Sequence, residues 1–450
     1  MTAPNPLYLP ELREMLAEDD HAQLSEFCSA LHPARIAEFM EGLAADEIWR
    51  VLQHAEPGVG QMIFGYFELP KQIEIMTYAP PEEMARFIGE MPSDDRVDLL
   101  DEVDPEIVAQ LLPLLPAEER RDIQRLRSYP EQTAGAIMTT DYAGLSEKLT
   151  VGQAVAALGK QAEDLETIYY IYVVDDENHL RGVLSARNLM SMMGKPETLI
   201  GDIMDRGVVS VDVTDDQEVV ADKVAHYDLL AIPVVDSEHH MLGIVTHDDV
   251  IDVVREEAME DAHRSAAVAP LGESYLTTSI LTLTWKRGIW LFILFFGALA
   301  TTFAMERYIG VLEKWEWLVL FIPLIISSGG NSGSQSATLI ITALTAGQVT
   351  LGDWWQVARR EMLQGLLLGG LLGICGFFAA YYFVGWRNAL VLPLAILLVV
   401  FSGTLIGAVL PLLFRRLGLD PALMSNPFVA GIMDVLGIVV YLNVALWLLV

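Results

Sequence analysis

The sequence predicts an α-helical membrane protein that carries a large acidic soluble part in its N-terminal half. Residues 1–280 hold 54 acidic and 19 basic side chains, whereas residues 281–450 hold only 7 and 9. The second part is therefore almost uncharged, and 52% of the whole chain is hydrophobic. An apolar half of this kind is typical of membrane-spanning helices. Because the acidic half repels nucleic acid and attracts cations, we expect metal cations as partners and no nucleic acid. The apolar half predicts membrane lipid as a further partner.

Residues 1–133 are predicted to form an acidic all-α domain. Short amphipathic segments alternate with prolines there, as at His32-Pro33, Pro80-Pro81 and Asp104-Pro105. A helix seldom continues through the residue before proline, so each segment is predicted to be a separate short helix. Such short helices cannot each bury a core, and we expect them to stack as a superhelix. The first residues lack the basic and apolar regions of a secretory signal, which predicts a cytoplasmic domain.

An internal repeat follows this domain. Residues 171–189 match residues 232–250 at an offset of 61, and residues 135–138 match residues 201–204 at an offset of 66. Each copy has an apolar segment ending in Val-Val-Asp, a polar turn and a second apolar segment, which predicts strand, turn, strand and helix. The pattern resembles a tandem pair of α/β CBS modules, which we place at residues 134–198 and 199–260. The resemblance makes ATP a candidate ligand, since such pairs often bind adenosine nucleotides.

Five apolar segments predict the membrane domain, which we place at residues 285–450, after a connecting helix at residues 261–284. The predicted spans are residues 288–305, 317–346, 362–384, 389–414 and 427–450, each with roughly the 20 residues that a bilayer requires. The second span is long because polar residues interrupt it. With the N-terminus inside, the inner flanks carry six Lys or Arg residues and the outer flanks three, in agreement with the positive-inside rule.

The polar interruption is the first candidate functional segment. Residues 327–336 are all Ser, Gly, Asn or Gln, although polar or irregular backbone is tolerated in a bilayer only against protein or water. We interpret the segment as the wall of a polar pathway, lined by Gly329, Gly330, Asn331 and Gln335. The alternative is that its glycines only let helices approach closely, while its serines form hydrogen bonds between them.

Asp434 is the one unambiguous carboxylate deep inside the predicted spans. A charge at such a depth faces the bundle interior or water, although a protonated, packed Asp is the alternative. Asn426, Ala430 and Asp434 follow a spacing of four and share one helical face, with Asn426 as the predicted N-cap before Pro427. Oxygen ligands without nitrogen or sulfur suit Mg²⁺, Ca²⁺ or Mn²⁺. A two-fold dimer would bring two Asp434 side chains to one axis.

Glu361 lies near the inner end of the third predicted span. We interpret it as a residue at the entrance of the pathway. An interfacial ion pair with Arg359 or Arg360 explains its position equally well.

Together these features resemble the MgtE family of bacterial magnesium channels. The resemblance rests on the Gly-Gly-Asn of residues 329–331, on the Gln-Ser-Ala-Thr-Leu of residues 335–339, on Asn426-Pro427 followed by Asp434, and on the domain order. It implies a homodimer in the bacterial plasma (inner) membrane whose pore binds hydrated Mg²⁺ at Asn426, Ala430 and Asp434. It also implies cytoplasmic magnesium sites that close the pore, although any single acid can equally be a solvated surface charge. The carboxylates at the matching positions are Asp94, Asp98, Asp216, Glu218, Asp228, Asp249, Asp252, Glu257, Glu260 and Asp261.

Two other functions stay open at this point. One is a broader divalent-cation transporter that also carries Mn²⁺ or Co²⁺, since oxygen ligands alone do not separate these ions from Mg²⁺. The other is a membrane receptor that senses a nucleotide through its CBS pair. We do not expect an enzyme, because no nucleophile, base and orienting group recur together and no phosphate-binding glycine loop precedes a helix.

Overall fold

The computed structural model describes residues 8–56, 58–162, 165–272, 275–276 and 278–449. The chain divides into two compact units, residues 1–254 and residues 255–450. Short helices and two small sheets form the first unit, and long apolar helices form the second.

The first unit begins with short helices around one apolar core. Within the described residues they are α1 (Leu9–Glu18), α2 (His21–Ala30), α3 (Pro33–Met40), α4 (Ala45–Leu52), α5 (Val59–Gly65), α6 (Leu69–Tyr78), α7 (Pro81–Gly89), α8 (Ser93–Glu102), α9 (Pro105–Leu111) and α10 (Ala117–Leu126). Three of them start at a proline, whose missing N–H is no loss in the first turn of a helix. The predicted short helices bounded by prolines are thus confirmed. Their buried core continues into the second α/β module, where Val220 and Ile232 belong to the same cluster.

Two α/β modules follow, each with a three-stranded sheet. The first contains β1 (Tyr142–Ser146), α11 (Val151–Gln161), β2 (Thr167–Val174), β3 (Leu180–Ser185) and α12 (Ala186–Ser191). The second contains α13 (Ile200–Ile203), β4 (Val211–Asp212), α14 (Gln217–Tyr227), β5 (Ala231–Val235), β6 (Met241–Thr246) and α15 (His247–Ser265). In both sheets the first strand pairs parallel to the second, and the second antiparallel to the third. The repeat of strand, turn, strand and helix predicted from the sequence is therefore confirmed.

The two modules are interleaved by backbone pairing. Thr139, which precedes β1, exchanges hydrogen bonds of 2.8 and 2.9 Å with Ile244 in β6. Asp205, which precedes β4, exchanges two hydrogen bonds of 2.9 Å with Val183 in β3. The segment that leads into each module is thus bonded to the sheet of the other one.

The second unit contains the last turns of α15 and the long helices. These are α16 (Ile280–Arg307), the short α17 (Ile309–Lys314), α18 (Trp317–Thr345), α19 (Trp354–Ala389), α20 (Val391–Arg416) and α21 (Asn426–Leu449). The prediction of one connecting helix over residues 261–284 is wrong, because α15 ends at Ser265 and α16 begins at Ile280. Pro270 and Gly272 lie in the segment between them, and both residues disfavour a helix interior.

Four helices in the described part of the chain are long and apolar enough to cross a membrane, judged by length and composition: Ile280–Arg307, Leu351–Ala389, Val391–Arg416 and Asn426–Leu449. The fifth long helix, α18, falls outside this group because of its polar middle. Its predicted interruption is wrong, since α18 is one helix of 29 residues. Ser328 donates to the main-chain oxygen of Leu324 at 2.7 Å, and Thr338 to that of Ser334 at 3.0 Å. Hydroxyls that bond back to their own helix let it stay continuous.

α20 packs against both α18 and α19, and glycines allow the close approach. A Cβ added to Gly407 of α20 would lie 2.1 Å from the main-chain oxygen of Gly333, and one added to Gly403 would lie 2.7 Å from that of Gly329. Glycines of α19 meet the backbone of α20 in the same way. Such backbone contact is typical of helices packed in membranes.

Candidate ion-binding sites

α18 carries a polar stripe on a side that the chain itself leaves uncovered. Its members are exposed and follow each other at three or four residues: Ser327, Asn331, Gln335, Thr338 and Thr342. Because residues at this spacing lie on one helical face, they form a continuous polar surface along the helix. The Asn331 amide donates to Ser327 Oγ at 3.2 Å. Of these five residues, the sequence had suggested only Asn331 and Gln335 as lining residues.

The glycines of the same segment lie on the other side of α18. Gly329 and Gly330 are buried. A Cβ on Gly329 would lie 2.5 Å from Val399 Cγ1, and one on Gly330 would lie 3.5 Å from Ala430 Cβ. Close helix packing therefore accounts for Gly329, and Gly330 marks the place where α18 meets α21.

α21 begins beside the polar stripe. Ser334 Oγ donates to the main-chain oxygen of Asn426 at 3.0 Å, and Thr338 Oγ1 lies 3.0 Å from Asn426 Oδ1. The predicted N-cap role of Asn426 is wrong, because Asn426 is the first residue of the helix and its side chain contacts α18 instead. The main-chain oxygen of Ser425 closes the first turn of α21.

Asp434 lies two turns further along α21 than Asn426, about 12 Å along the helix axis. Its side chain is half-buried. Among the described residues, no hydrogen bond or ion pair reaches its carboxylate. Asn426, Ala430 and Asp434 therefore present an amide, a small residue and an unpaired acid along one face, which suits a cation that keeps its water ligands.

Glu361 of α19 is only 4% exposed. Ser336 Oγ of α18 donates to Glu361 Oε2 at 2.6 Å, and Thr404 Oγ1 of α20 lies 3.2 Å from the main-chain oxygen of Glu361. The sequence placed Glu361 at the entrance of the pathway, but its carboxyl lies where α18, α19 and α20 pack together. Neither Ser336 nor Thr404 was identified from the sequence, because both contacts are made between helices.

Six acidic side chains converge in the first unit. They come from the start of α8, from the residues just before β1 and β2 and from the start of α15: Asp94, Asp95, Asp141, Glu166, Asp248 and Asp249. Asp94 is 9% exposed, and its Oδ1 has no hydrogen-bond partner in the described part of the chain. Burial, and after it the negative charge of Asp249, raises the pKa of the Asp94 carboxyl well above its usual range. The same two causes raise the pKa of Glu166 to about 7. We call these six residues the junction acids.

Hydrogen bonds hold the junction acids in place. The Ser93 N–H donates to Asp141 Oδ2 at 3.1 Å, and the Thr140 N–H donates to Ser93 Oγ at 2.8 Å. On the other side, the Thr246 N–H donates to Asp249 Oδ2 at 3.3 Å, while burial raises the pKa of Asp249 to about 6. Only Asp94 and Asp249 were singled out from the sequence. Asp95 and Asp248 directly adjoin them, whereas Glu166 is brought to the junction only by the fold.

The other predicted regulatory acids of this unit are not among the junction acids. Asp98 is exposed one turn after Asp94 on α8, and Asp252 is exposed on α15. Asp216 caps α14 by accepting from the Glu218 N–H at 2.9 Å, and Asp228 ends that helix with a φ of 51°. The cap explains Asp216 without a metal ion.

A second acidic group lies in the second unit. Glu257, Glu260 and Asp261 are half-buried near the end of α15. Arg264 forms ion pairs with Glu260 and with Asp420, an acid that the sequence had not suggested. Burial, followed by the charge of Asp420, raises the pKa of Asp261.

No group of three or more His, Cys, Asp or Glu residues in the described ranges is arranged to hold a metal ion directly. Both acidic groups therefore differ from a compact cage of protein ligands.

Comparison with known proteins places these features in one family. Residues 322–444 match a family model described as a divalent cation transporter, residues 31–132 match the MgtE intracellular N domain, and residues 134–195 and 200–256 match CBS domains. The magnesium transporter MgtE of Thermus thermophilus is 38% identical over 97% of this chain and 98% of its own length. That of Enterococcus faecalis is 37% identical over 72% of this chain and 71% of its own.

Two crystal structures resemble the soluble part. One, of the soluble part of a magnesium transporter, has a TM-score of 0.52 and 39% identity, covering 55% of this chain and 97% of that one. The other shows the cytosolic domain of the Mg²⁺ channel MgtE in complex with ATP, with a TM-score of 0.50 and 36% identity over 54% of this chain and 98% of that one.

The long apolar helices, the CBS pair and the family matches define a divalent-cation transporter with an N-terminal part that contains a CBS pair. Within that class, the chain belongs to the MgtE family of magnesium transporters.

Proposed function

We propose that this chain forms a magnesium channel for uptake across the bacterial inner membrane, closed by cytoplasmic magnesium. The observation that carries the proposal is the uncovered polar stripe of α18 beside the unpaired Asp434 of α21. A polar surface of this length is unfavourable against lipid, because polar groups in hydrocarbon need water or protein partners. An acid without a cationic partner beside such a surface suits a passing cation.

The pathway is completed by a second copy of the chain. A homodimer with its two-fold axis beside α18 and α21 covers the stripe and places two Asp434 carboxylates on one pathway. Asn426, Ala430 and Asp434 bind the hydrated ion, with Asn331 and Gln335 along the wall. Gly329 and Gly330 allow the close contact between helices behind this wall, and Glu361 supports the inner half of the pathway. The length of α18 supports counting it as a fifth span, with residues 285–450 as the membrane domain.

The soluble part senses magnesium through its acids. Two carboxylates about 4 Å apart repel by about 1 kcal/mol in water and by about 4 kcal/mol at an effective dielectric of 20. The raised pKa values of Asp94, Glu166 and Asp249 are the signature of such repulsion combined with burial. Divalent ions relieve this repulsion between carboxylates. They thereby order the N-domain (residues 1–133), the CBS modules (134–198 and 199–260) and the linker that follows. Asp98, Asp216, Glu218, Asp228, Asp252, Glu257, Glu260 and Asp261 serve as further weak sites.

ATP is the proposed ligand of the CBS modules. The support is the related cytosolic domain crystallised with ATP, which is 36% identical. Calorimetry with ATP on residues 1–262 tests this point, and we expect saturable binding. Heat no larger than that of dilution would rule out ATP without touching the proposed channel.

Transport is tested with the purified full chain in vesicles. We expect Mg²⁺ influx, and rescue of a host that lacks its own magnesium transporters. Equal fluxes of Mn²⁺ and Co²⁺ would favour the broader divalent-cation transporter. Nucleotide binding without any flux would favour the receptor, and it would contradict the proposed channel.

A further inference from the structure

Two hydroxyl groups of α18 hold the first residue of α21. Ser334 Oγ donates to the main-chain oxygen of Asn426 at 3.0 Å, and Thr338 contacts the end of the Asn426 side chain at 3.0 Å. Ser334 and Thr338 are one helical turn apart. Ser334 therefore holds the backbone of Asn426, and Thr338 holds its side-chain amide.

Thr338 has one hydroxyl proton and two neighbours that could accept it. The main-chain oxygen of Ser334 lies 3.0 Å from Thr338 Oγ1, as does the atom placed as Asn426 Oδ1. A helical Thr commonly donates to the carbonyl four residues earlier. The oxygen and nitrogen of a side-chain amide have nearly the same shape, so the hydrogen bonds decide their assignment. If the Thr338 proton goes to Ser334, the amide must turn its NH₂ group to Thr338.

We propose that Thr338 is a positioning residue: by accepting a hydrogen bond from the NH₂ group of Asn426, it turns the amide oxygen of Asn426 toward the permeating ion. The proposal rests on the proposed function, in which Asn426 lines the pathway. The other end of the amide has no partner among the residues that the structure describes. Asn426 also shares a helical face with Ala430 and Asp434.

The orientation matters because of the water around the ion. A cation binds water through oxygen, so the hydrogens of its water shell point outward and require acceptors. An amide oxygen accepts such a hydrogen bond, whereas an NH₂ group in its place cannot. The hydroxyl of Thr338 thus affects affinity for the hydrated ion through the orientation of the Asn426 amide.

The test compares variants of the full chain in vesicles by the Mg²⁺ dependence of flux. Thr338→Val keeps the side-chain volume and removes the hydroxyl, and Thr338→Ser keeps the hydroxyl. We expect Thr338→Val to raise the Mg²⁺ concentration that gives half-maximal flux by roughly ten-fold, equivalent to about 1.4 kcal/mol. The maximal flux should change little, and Thr338→Ser should behave like the parent chain. Ser328→Ala is the matched control, because that hydroxyl bonds to Leu324 of its own helix and to no other residue that the structure describes.

A double substitution separates orientation from simple support. Asn426→Ala removes the amide, so Thr338 has nothing left to orient. In that background we expect Thr338→Val to change half-saturation less than two-fold, equivalent to about 0.4 kcal/mol. The same ten-fold effect in both backgrounds would mean that the hydroxyl only supports packing, and the proposal would be overturned. Unchanged half-saturation in Thr338→Val alone would overturn it as well. If Asn426→Ala also behaves like the parent chain, Asn426 is not an ion site, and that part of the proposed function fails with it.

Discussion

Arg264, near the end of α15, forms an ion pair with Asp420, which lies in the loop just before α21. Asp420 also accepts a hydrogen bond of 2.7 Å from the Ala422 N–H and so begins the short 3₁₀ helix Pro421–Leu423. This ion pair therefore joins α15, which we call the linker helix, to the segment that leads into α21, the proposed pore helix. Since Arg264 also pairs with Glu260, one guanidinium offsets the charge of two carboxylates in a region where acidic side chains repel one another.

Removing this guanidinium should make the region depend more strongly on magnesium. Both partners are about one-third exposed, 32% and 28%, so we expect Arg264→Gln to cost no more than about 1 kcal/mol in magnesium-free buffer. Added Mg²⁺ should then stabilise the variant more than the parent chain, because more uncompensated negative charge remains. Thermal unfolding of the full chain with and without Mg²⁺ measures this. Arg264→Lys, which keeps the charge, is the control, and an equal magnesium effect in all three proteins would contradict the prediction.

Asp434→Asn should abolish most conduction while the protein stays folded. The substitution keeps the side-chain volume and removes the negative charge that offsets the ion. We expect Mg²⁺ flux in vesicles to fall at least ten-fold, equivalent to about 1.4 kcal/mol or more. Asp353→Asn is a suitable control, because that acid lies before α19 and accepts from the Thr350 N–H, which Asn can also do. Parental flux in Asp434→Asn would exclude the proposed ion site.

Magnesium and protons should compete for the junction acids. The pKa is raised to about 7 for Glu166 and to about 6 for Asp249, so the folded state binds protons more tightly than the unfolded state. Stability in magnesium-free buffer should therefore rise as the pH falls from 8 to 5, and level off below the unfolded pKa of about 4. The rise in melting temperature caused by Mg²⁺ should be largest at pH 8 and should become smaller toward pH 5.5.

Asp94→Asn provides the test of that competition. It removes the most buried of the junction acids, so both the pH dependence and the magnesium shift should become smaller. Asp46→Asn on α4 is the control, because Asp46 is not one of the junction acids. A magnesium shift that is the same at every pH would indicate that the ion binds elsewhere.

Gly407→Ala should destabilise the helix bundle. The new methyl group would lie 2.1 Å from the main-chain oxygen of Gly333, so α18 and α20 must separate, at a cost of about 1–3 kcal/mol. Gly370→Ala on α19 is the matched control, because nothing lies within 4 Å of its added Cβ, and a helix gains up to about 1 kcal/mol from Ala in place of Gly. Thermal unfolding in detergent compares the two, and equal melting temperatures would argue against the close backbone contact.

The sequence predicts those parts of the fold that depend on local pattern. Prolines mark the helix starts, and the duplicated Val-Val-Asp segments mark both sheets. The continuous α18 was missed because its polar residues were interpreted as an interruption of the span, whereas Ser328 and Thr338 bond back to their own helix. The position of Glu361 was missed because its partner Ser336 is 25 residues away on another helix. Glu166 was missed for the same reason, since only tertiary structure brings it to Asp249.

The interleaving of the two CBS modules fixes how a movement of the N-domain can propagate within the first unit. Ser93, at the start of α8, is hydrogen-bonded to Thr139 and Thr140, and Thr139 is paired through its backbone with Ile244 of β6. β6 ends at Thr246, and α15 starts at the next residue. A displacement of α8 therefore reaches the start of the linker helix through two sets of hydrogen bonds and three residues of chain. Of the first CBS module, the link uses only Thr139 and Thr140, which precede β1, and it bypasses the sheet of that module. A ligand bound elsewhere in the first module can therefore tune the stiffness of this mechanical link without forming part of it.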